Sequence, residues 1–306
     1  LLTILGCSMI LPILISFGYG GNDLNGFLFS SAICIIVGFP IWFITRHNKT
    51  LTNRDGFAIL TFSWVFTAIA GALPFYFSGA IPNITDAFFE SMSGVTTTGS
   101  SILGNINTLP HLKSLPHGIL FWRSFIQWIG GMGIVVFYIA ILPLLGVGGV
   151  QLFKAEVPGP VADKIKPRVR ETAKFLWIVY VGITIAEILA LIVAGMSIFD
   201  SVCHAFTTMP TGGFSTKNFG IAYYESSAIH YIIIFFMFIA GVNFSLHFRG
   251  LNGDVKSYIK DKEFLVYSSV ILLVTSLIFL IVSIDNQDFS HINFRESLFS
   301  TLSILT

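Results

Sequence analysis

A chain of 306 residues that is 54% hydrophobic, only 11% charged and has a mean hydropathy of +0.80 is not a water-soluble domain, in which about a quarter of residues carry charge. The net charge of +1 gives no reason to look for nucleic acid, and Cys7, Cys34 and Cys203 stand in apolar surroundings without CxxC spacing, so they read as buried free thiols and not as a disulfide framework or zinc site. The chain opens at Leu1 inside an apolar run and closes at Thr306, which reads as part of a longer polypeptide. A cleaved signal peptide is a poor reading of the start, because the apolar pattern recurs down the whole chain.

A membrane-crossing helix needs about 20 apolar residues. In chain order the runs that qualify are Leu1–Tyr19, Gly26–Thr45, Phe57–Phe77, Gly118–Leu145, Phe175–Ala194, Ile229–Phe248 and Phe264–Ile284. Pro12, Pro40, Pro74 and Pro143 fall in or near the ends of these runs, which membranes tolerate where neighbours satisfy the freed carbonyls. Three loops, Arg46–Arg54, Lys154–Arg170 and Arg249–Lys262, hold twelve of the seventeen basic residues, while Gly79–Pro116 and Ile198–Ala228 between them hold only Lys113 and Lys217. By the positive-inside rule the basic loops are cytoplasmic, and with two spans before the first of them so is the N-terminus.

The two outer loops carry a further pattern. Ile84–Gly94 is helical and apolar but too short to cross, covering roughly 15 Å at about 1.5 Å per residue. Ser197–Pro210 has the same make-up, and at an offset of 114 Asp86 falls on Asp200, Thr97 on Thr211 and Gly99 on Gly213. Each short helix is expected to start at its Asp, favourable at an N-terminus, and each runs into a Thr/Gly segment, "VTTTGSS" or "MPTGGFS". A third copy at an offset of 210 places Glu296 on Asp86 and Thr306 on Thr96, and stops there. The expected fold is an all-α polytopic membrane protein, a helix pair at 1–50 followed by span, short helix, Thr/Gly strand, span units at 51–150 and 151–252, with a truncated third at 253–306. Repeats of this kind point to a transport path at the repeat interface.

The physical reading of such a unit is specific. A half-membrane helix entering from outside aims its negative dipole end at the bilayer centre, which favours a cation. The returning strand has free carbonyls, and irregular backbone at that depth survives only where it lines a cavity or is buried in protein. Stacked carbonyls can replace the hydration shell of a monovalent ion. Gly99 and Gly213 allow positive φ, so that a carbonyl can turn toward a central axis.

At these residues the sequence resembles the membrane subunits of Trk potassium-uptake systems, in the Trk/Ktr/HKT superfamily. The carrying stretches are "ALPFYFSGAIPNITDAFFESMSGVTTTGSSIL", "LPHGILFWRSFIQWIGGMGIVV", "ILPLLGVGGVQLFKAEVPGP", "HAFTTMPTGGFST" and "GVNFSLHF". The resemblance implies a helix pair followed by four repeats around one K⁺ pore, a homodimer with one pore per protomer, and a cytosolic nucleotide-binding regulatory subunit, with membrane lipid around the whole in a bacterial cytoplasmic membrane. It implies filter carbonyls at Thr97, Thr98, Gly99, Thr211, Gly212 and Gly213, no organic cofactor and no enzymatic chemistry. A serine at the place of Gly99 accompanies sodium-permeable members, so the glycine favours potassium. The family's gating loop and the basic residue of its fourth repeat lie past Thr306. A sodium-conducting or sodium-coupled relative on the same scaffold is the alternative. A multi-span enzyme such as a lipid transferase would need a nucleophile, base or metal cluster, and none is visible.

Other signals weigh less. "FGYGG" at Phe17–Gly21 contains a channel-filter tripeptide, but no short helix precedes it, so a helix-ending turn at Gly20 is the reading. "GGMG" at Gly130–Gly133 lies inside an apolar span and reads as close helix contact. Glu187 stands mid-span with no counterpart in the preceding repeat, and reads first as an interhelical hydrogen-bonding residue and second as part of the transport path. Asn243 is a candidate for the inner pore; Glu90 and His204 for braces of the filter; Arg123, Gln127 and Trp128 for a brace or an interface anchor. His111 and His117 lack further ligands at metal spacing.

Overall fold

A computed structural model describes residues 1–45, 53–103, 115–141, 169–285 and 287–306. The basic residues Arg46, Lys49, Lys154, Lys164, Lys166 and Arg168, together with Lys113, His111 and Pro143, lie outside the described residues, as does the boundary between the first two expected units at 150/151.

The described chain is helical throughout its regular structure. Helices α1 (Leu2–Ser8) and α2 (Ile10–Tyr19) form one apolar stretch interrupted at Met9. Pro12 explains the break, since it has no N–H to give the carbonyl of Ser8. Gly20, at φ +64°, ends α2, with Gly21 N–H donating to the Ser16 carbonyl. The Gly-Tyr-Gly tripeptide is thus a helix stop. Helix α3 (Leu24–Thr45) returns against α1 through small residues: a Cβ on Gly6 would lie 2.9 Å from that of Cys34, and one on Gly38 would lie 2.7 Å from the Thr3 nitrogen. Cys34 and Cys203 are buried free thiols, but Cys7 is exposed, on a face that meets lipid if the helix spans. The expectation of three buried thiols fails there, because an apolar neighbourhood in a membrane protein includes the lipid side.

Helix α4 (Asn53–Phe77) leads through Ser78–Asn83 to the short α5 (Ile84–Val95), and α6 (His117–Ile141) follows. Helices α7 (Val169–Val193) and α8 (Ile198–Thr208) repeat the long–short order, and a 3₁₀ turn at Gly220–Tyr223 precedes α9 (Ser227–Ala240). Then come α10 (Phe244–Leu251), α11 (Lys256–Lys260), α12 (Lys262–Asp285) and α13 (His291–Leu305). Among the described residues, Leu2–Tyr19, Leu24–Thr45, Lys174–Val193 and Lys262–Asp285 are long and apolar enough to cross a membrane. Large apolar side chains such as Ile36 (70% exposed), Leu272 (69%) and Ile281 (67%) cover their outer faces. In water such faces would be an aggregation hazard; in a bilayer they are the solvent contact.

Two expectations change. Ile229–Phe248 is not one straight span: α9 and α10 meet at 99° across Gly241–Asn243. Asn243 is the N-cap of α10, its Oδ1 accepting from Ser245 N–H at 3.0 Å, so here it starts a helix and does not sit within one. Gly241 allows the turn to pack close, since a Cβ there would overlap the Tyr267 hydroxyl and lie 2.9 Å from Thr306 Cγ2. The short helices also begin before their acidic residues. Asn83, Ser197 and Ser290 are the caps, and Asp86, Asp200 and Asn293 each stand three residues later. The third helix therefore starts one turn ahead of the register that Glu296 suggested. A side chain accepting a hydrogen bond from the first turn fixes a start more strongly than a charge near the dipole does.

Candidate functional site

The segments after α5 and α8 have matching backbones. Thr97 (φ +56°) and Thr211 (φ +58°) are left-handed, as are Gly99 (φ +77°) and Gly213 (φ +79°). A left-handed threonine is unusual for a β-branched residue, and two at corresponding places mark a required geometry. Thr97 N–H donates to the Gly94 carbonyl at 3.0 Å and Thr211 N–H to that of Thr208 at 2.9 Å; Thr98 N–H donates to Ser93 O at 2.9 Å and Gly212 N–H to Thr207 O at 2.8 Å. Each short helix thus closes on its own strand. The two strands also meet: a Cβ on Gly99 would overlap the Gly212 carbonyl oxygen and stand 3.1 Å from its carbon.

Helix α6 holds both strands. Arg123 is 2% exposed, and its Nε pairs with Oε1 of the fully buried Glu90 on α5 at 2.8 Å. One further guanidinium nitrogen donates to Ser101 Oγ and the other to the Ser215 carbonyl, both at 3.0 Å, and the group lies 4.4 Å from the Phe214 ring. Ser101 Oγ and Ile102 N–H donate to the Glu90 carboxylate at 2.9 and 3.1 Å. One turn on, Gln127 Oε1 accepts from Phe214 N–H at 3.3 Å, and its amide fills the space that a Cβ on Gly212 would need. Arg123 and Gln127 are therefore braces of the two strands. Trp128 stacks on Phe206 at 4.9 Å and donates to Thr184 at 3.2 Å.

The same offset of 114 relates the side-chain supports, with different chemistry. Glu90–Ser101 in the first segment corresponds to His204–Ser215 in the second, where His204 Nε2 meets Ser215 Oγ at 3.0 Å and Nδ1 meets the Asp200 carbonyl at 2.7 Å. Asp200 accepts from Thr216 at 2.6 Å and pairs with Lys217 at 3.0 Å. Burial alone would raise its carboxyl, but the bonds from Thr216 and Lys217 and the lysine's charge outweigh that and hold it below the usual range.

Small residues let α6 approach the ends of both short helices. A Cβ on Gly130 would overlap the Val95 carbonyl, and one on Gly131 would lie 2.9 Å from Pro210 Cα. Its N-terminus is fixed by Asp23 in the α2–α3 turn, fully buried, which accepts from Ile119 N–H at 2.9 Å and from Ser16 Oγ. Sequence reasoning passed over Asp23, whose signal was an acid between two apolar spans. His117 at the head of α6 stacks on Tyr19, ring centroids 4.1 Å apart.

Residues 24–283 match the TrkH family, described as cation transport proteins. The chain belongs to the TrkH family. Among its TrkH relatives is the Trk system potassium uptake protein TrkH of Salmonella typhimurium, 43% identical over 305 residues, covering 98% of this chain and 62% of that protein. The corresponding Vibrio parahaemolyticus protein is 41% identical over 314 residues (100% and 63%), and the Escherichia coli TrkG protein is 34% identical over 307 (98% and 61%). The crystal structure of the potassium transporter TrkH from Vibrio parahaemolyticus superposes with a TM-score of 0.85 at 37% identity, covering 99% of this chain and 62% of that one. The chain thus spans a little over three fifths of its TrkH relatives. Family and apolar helices together make it a multi-pass membrane protein of a transporter family.

Proposed function

We propose that this chain forms part of a K⁺ uptake pore in a bacterial cytoplasmic membrane, with Thr97, Thr98, Gly99, Thr211, Gly212 and Gly213 supplying backbone carbonyls to the ion. The observation that carries the reading is the pair of strands with matching left-handed residues, Gly99 packed on the Gly212 carbonyl. Alternating left-handed residues let successive carbonyls of one strand face the same side. Residues 51–150 and 151–252 are then two pore repeats, 253–306 begins a third, and 1–50 is the supporting helix pair. Flux needs no covalent chemistry: the carbonyls replace water around the ion and the membrane potential drives it. The break at Gly241–Asn243 lies next to Thr306, where the third strand would begin, and this keeps Asn243 a candidate for the inner pore.

The full-length gene, expressed in a bacterium lacking its own potassium uptake, should restore growth at low K⁺; expressed protein without growth overturns the proposal. The sodium-conducting alternative makes the opposite forecast in the same cells, namely Rb⁺ uptake strongly suppressed by competing Na⁺.

Topology follows from the charge asymmetry. With the N-terminus cytoplasmic, a single cysteine placed within Asn105–Pro116 should react with an impermeant thiol reagent in intact cells, and one within Lys154–Arg170 should not. The reverse pattern overturns the orientation. A homodimer and a cytosolic nucleotide-binding subunit docking on the basic inner loops complete the proposal. Deleting part of "PGPVADKIKPRVR" should then leave basal flux but remove nucleotide control, and binding of that subunit after all three loops are neutralised would refute the docking site.

A further inference from the structure

Helix α9 stops at Ala240, inside an apolar run, so its last carbonyls need partners other than a next helical turn. In a helix continued past Ala240, the Phe238 and Ile239 carbonyls would accept from Val242 and Asn243, four residues on. Here Gly241 N–H donates to the Met237 carbonyl and Val242 N–H turns back to that of Ile239, both at 3.1 Å. The Phe238 carbonyl accepts instead from Tyr267 OH of α12 at 3.3 Å. The Ile239 carbonyl takes a second partner from beyond the bend: Nε2 of the buried His247, on α10, at 2.9 Å.

That bond can exist only across a bend. Ile239 and His247 are eight residues apart, which is roughly 12 Å along a straight helix at about 1.5 Å per residue, farther than an imidazole can bridge. The carbonyl can only accept, so Nε2 carries a proton whatever the charge of the ring. The other ring nitrogen is fixed as well, since Nδ1 meets Tyr258 OH of α11 at 2.9 Å. A Cβ on Gly250 would lie 2.8 Å from the Tyr258 ring, so Tyr258 sits close against α10. Tyr258 thus orients the imidazole that reaches Ile239. The bend in turn packs through Gly241 on Thr306, at the end of the third short helix.

We infer that His247 is a positioning residue: its Nε2–H latches the α9–α10 bend and so holds Gly241 and Asn243 against the place where the third strand would begin. The competing state is a straighter α9–α10, in which the Ile239 carbonyl takes the Asn243 N–H and His247 lets go. The latch is a property of this chain's own packing. Its consequence for selectivity rests on the pore reading.

Spin labels on cysteines placed at Tyr231 of α9 (39% exposed) and Leu251 at the end of α10 (77% exposed) measure the bend. The full-length protein is used in lipid, without other reactive cysteines and diluted with unlabelled protein. Twenty residues span roughly 30 Å in a straight helix and roughly 18 Å across a near-right-angled turn. The wild type should give the short distance. His247→Ala should lengthen it by several ångströms and lower the K⁺/Na⁺ ratio, read by Rb⁺ uptake against Na⁺, severalfold. His247→Gln, whose amide nitrogen can stand where Nε2 stands, should keep both near wild type. His247→Asn, too short to reach Ile239 but able to meet Tyr258, should behave as the alanine variant does. If His247→Ala folds poorly, the contrast between glutamine and asparagine decides. A short distance in folded His247→Ala or His247→Asn overturns the latch, and so does a glutamine variant as open as they are. A lengthened distance with selectivity untouched overturns the positioning role. A wild type that shows the short distance but takes up no Rb⁺ counts against the pore reading, and the distances alone then judge the latch.

Discussion

Gly99→Ser in the full-length protein should lower the K⁺/Na⁺ permeability ratio at least tenfold, a change of about 1.4 kcal/mol in relative barrier. Two costs combine at this position. The backbone is left-handed at φ +77°, which any L-residue resists by about 1 kcal/mol or more. The new Cβ would also overlap the Gly212 carbonyl oxygen. That obstacle is backbone, not a side chain that can swing away, so Gly212 itself must move, and it is a proposed ion ligand. Gly213→Ser separates the two costs. It keeps the left-handed penalty at φ +79° but meets no atom within 4 Å, so its effect on the ratio should be clearly smaller. Sequence reasoning treated the two glycines as equivalent; packing makes them unequal. Gly20→Ser is the control, left-handed with open space around it and far in sequence from both strands, and should leave the ratio unchanged. Rb⁺ uptake against competing Na⁺ provides the readout. An unaltered ratio in well-expressed Gly99→Ser overturns the assignment of this strand as a filter.

What could be read ahead of the structure followed from patterns with a local cause. Apolar runs of span length, helices of half that length and glycines after them are dictated by lipid thickness and backbone sterics. The stop at Gly20 and the close contacts of Gly130 and Gly131 belong to the same class. The bend after Ala240 was lost because hydropathy sums over Ile229–Phe248 and cannot register a turn; the local signal was Asn243 two residues after Gly241, a cap following a flexible residue. The start of α13 was misplaced because charge similarity at Glu296 outweighed Ser290, a better cap. The supporting residues were legible by position, since Glu90, His204, Arg123 and Gln127 stand out as brace candidates in the sequence, but their partners were not. Glu90–Ser101 and His204–Ser215 do the same task with different groups, so no shared motif marks them. The contacts of Arg123 with Glu90 and Ser215 join residues 33 and 92 apart in sequence, which no local spacing reveals.

Those contacts make Arg123 the side chain whose loss should cost most in stability. Arg123→Met keeps much of the side-chain volume but leaves the Glu90 carboxylate buried at 0% exposure without its cation. Breaking one side of a buried ion pair costs about 3–5 kcal/mol, and this arginine also serves Ser101 and the Ser215 carbonyl. The single variant should therefore unfold at a markedly lower temperature in detergent and transport little Rb⁺. Adding Glu90→Gln separates charge from geometry. The amide can still accept from Ser101 or Ile102 and leaves no net charge in the core, so the double variant should recover much of the lost thermal stability. Selectivity should not recover with it, because the strand after α8 has lost the Arg123 bond to the Ser215 carbonyl and, of the side-chain hydrogen bonds to α6 among the described residues, keeps the one between Gln127 and Phe214 alone. A double variant as unstable as Arg123→Met would show that the hydrogen bonds, and not the uncompensated charge, dominate. If Arg123→Met alone kept wild-type stability and a wild-type K⁺/Na⁺ ratio, helix α6 would not be the element that holds the two strands in register.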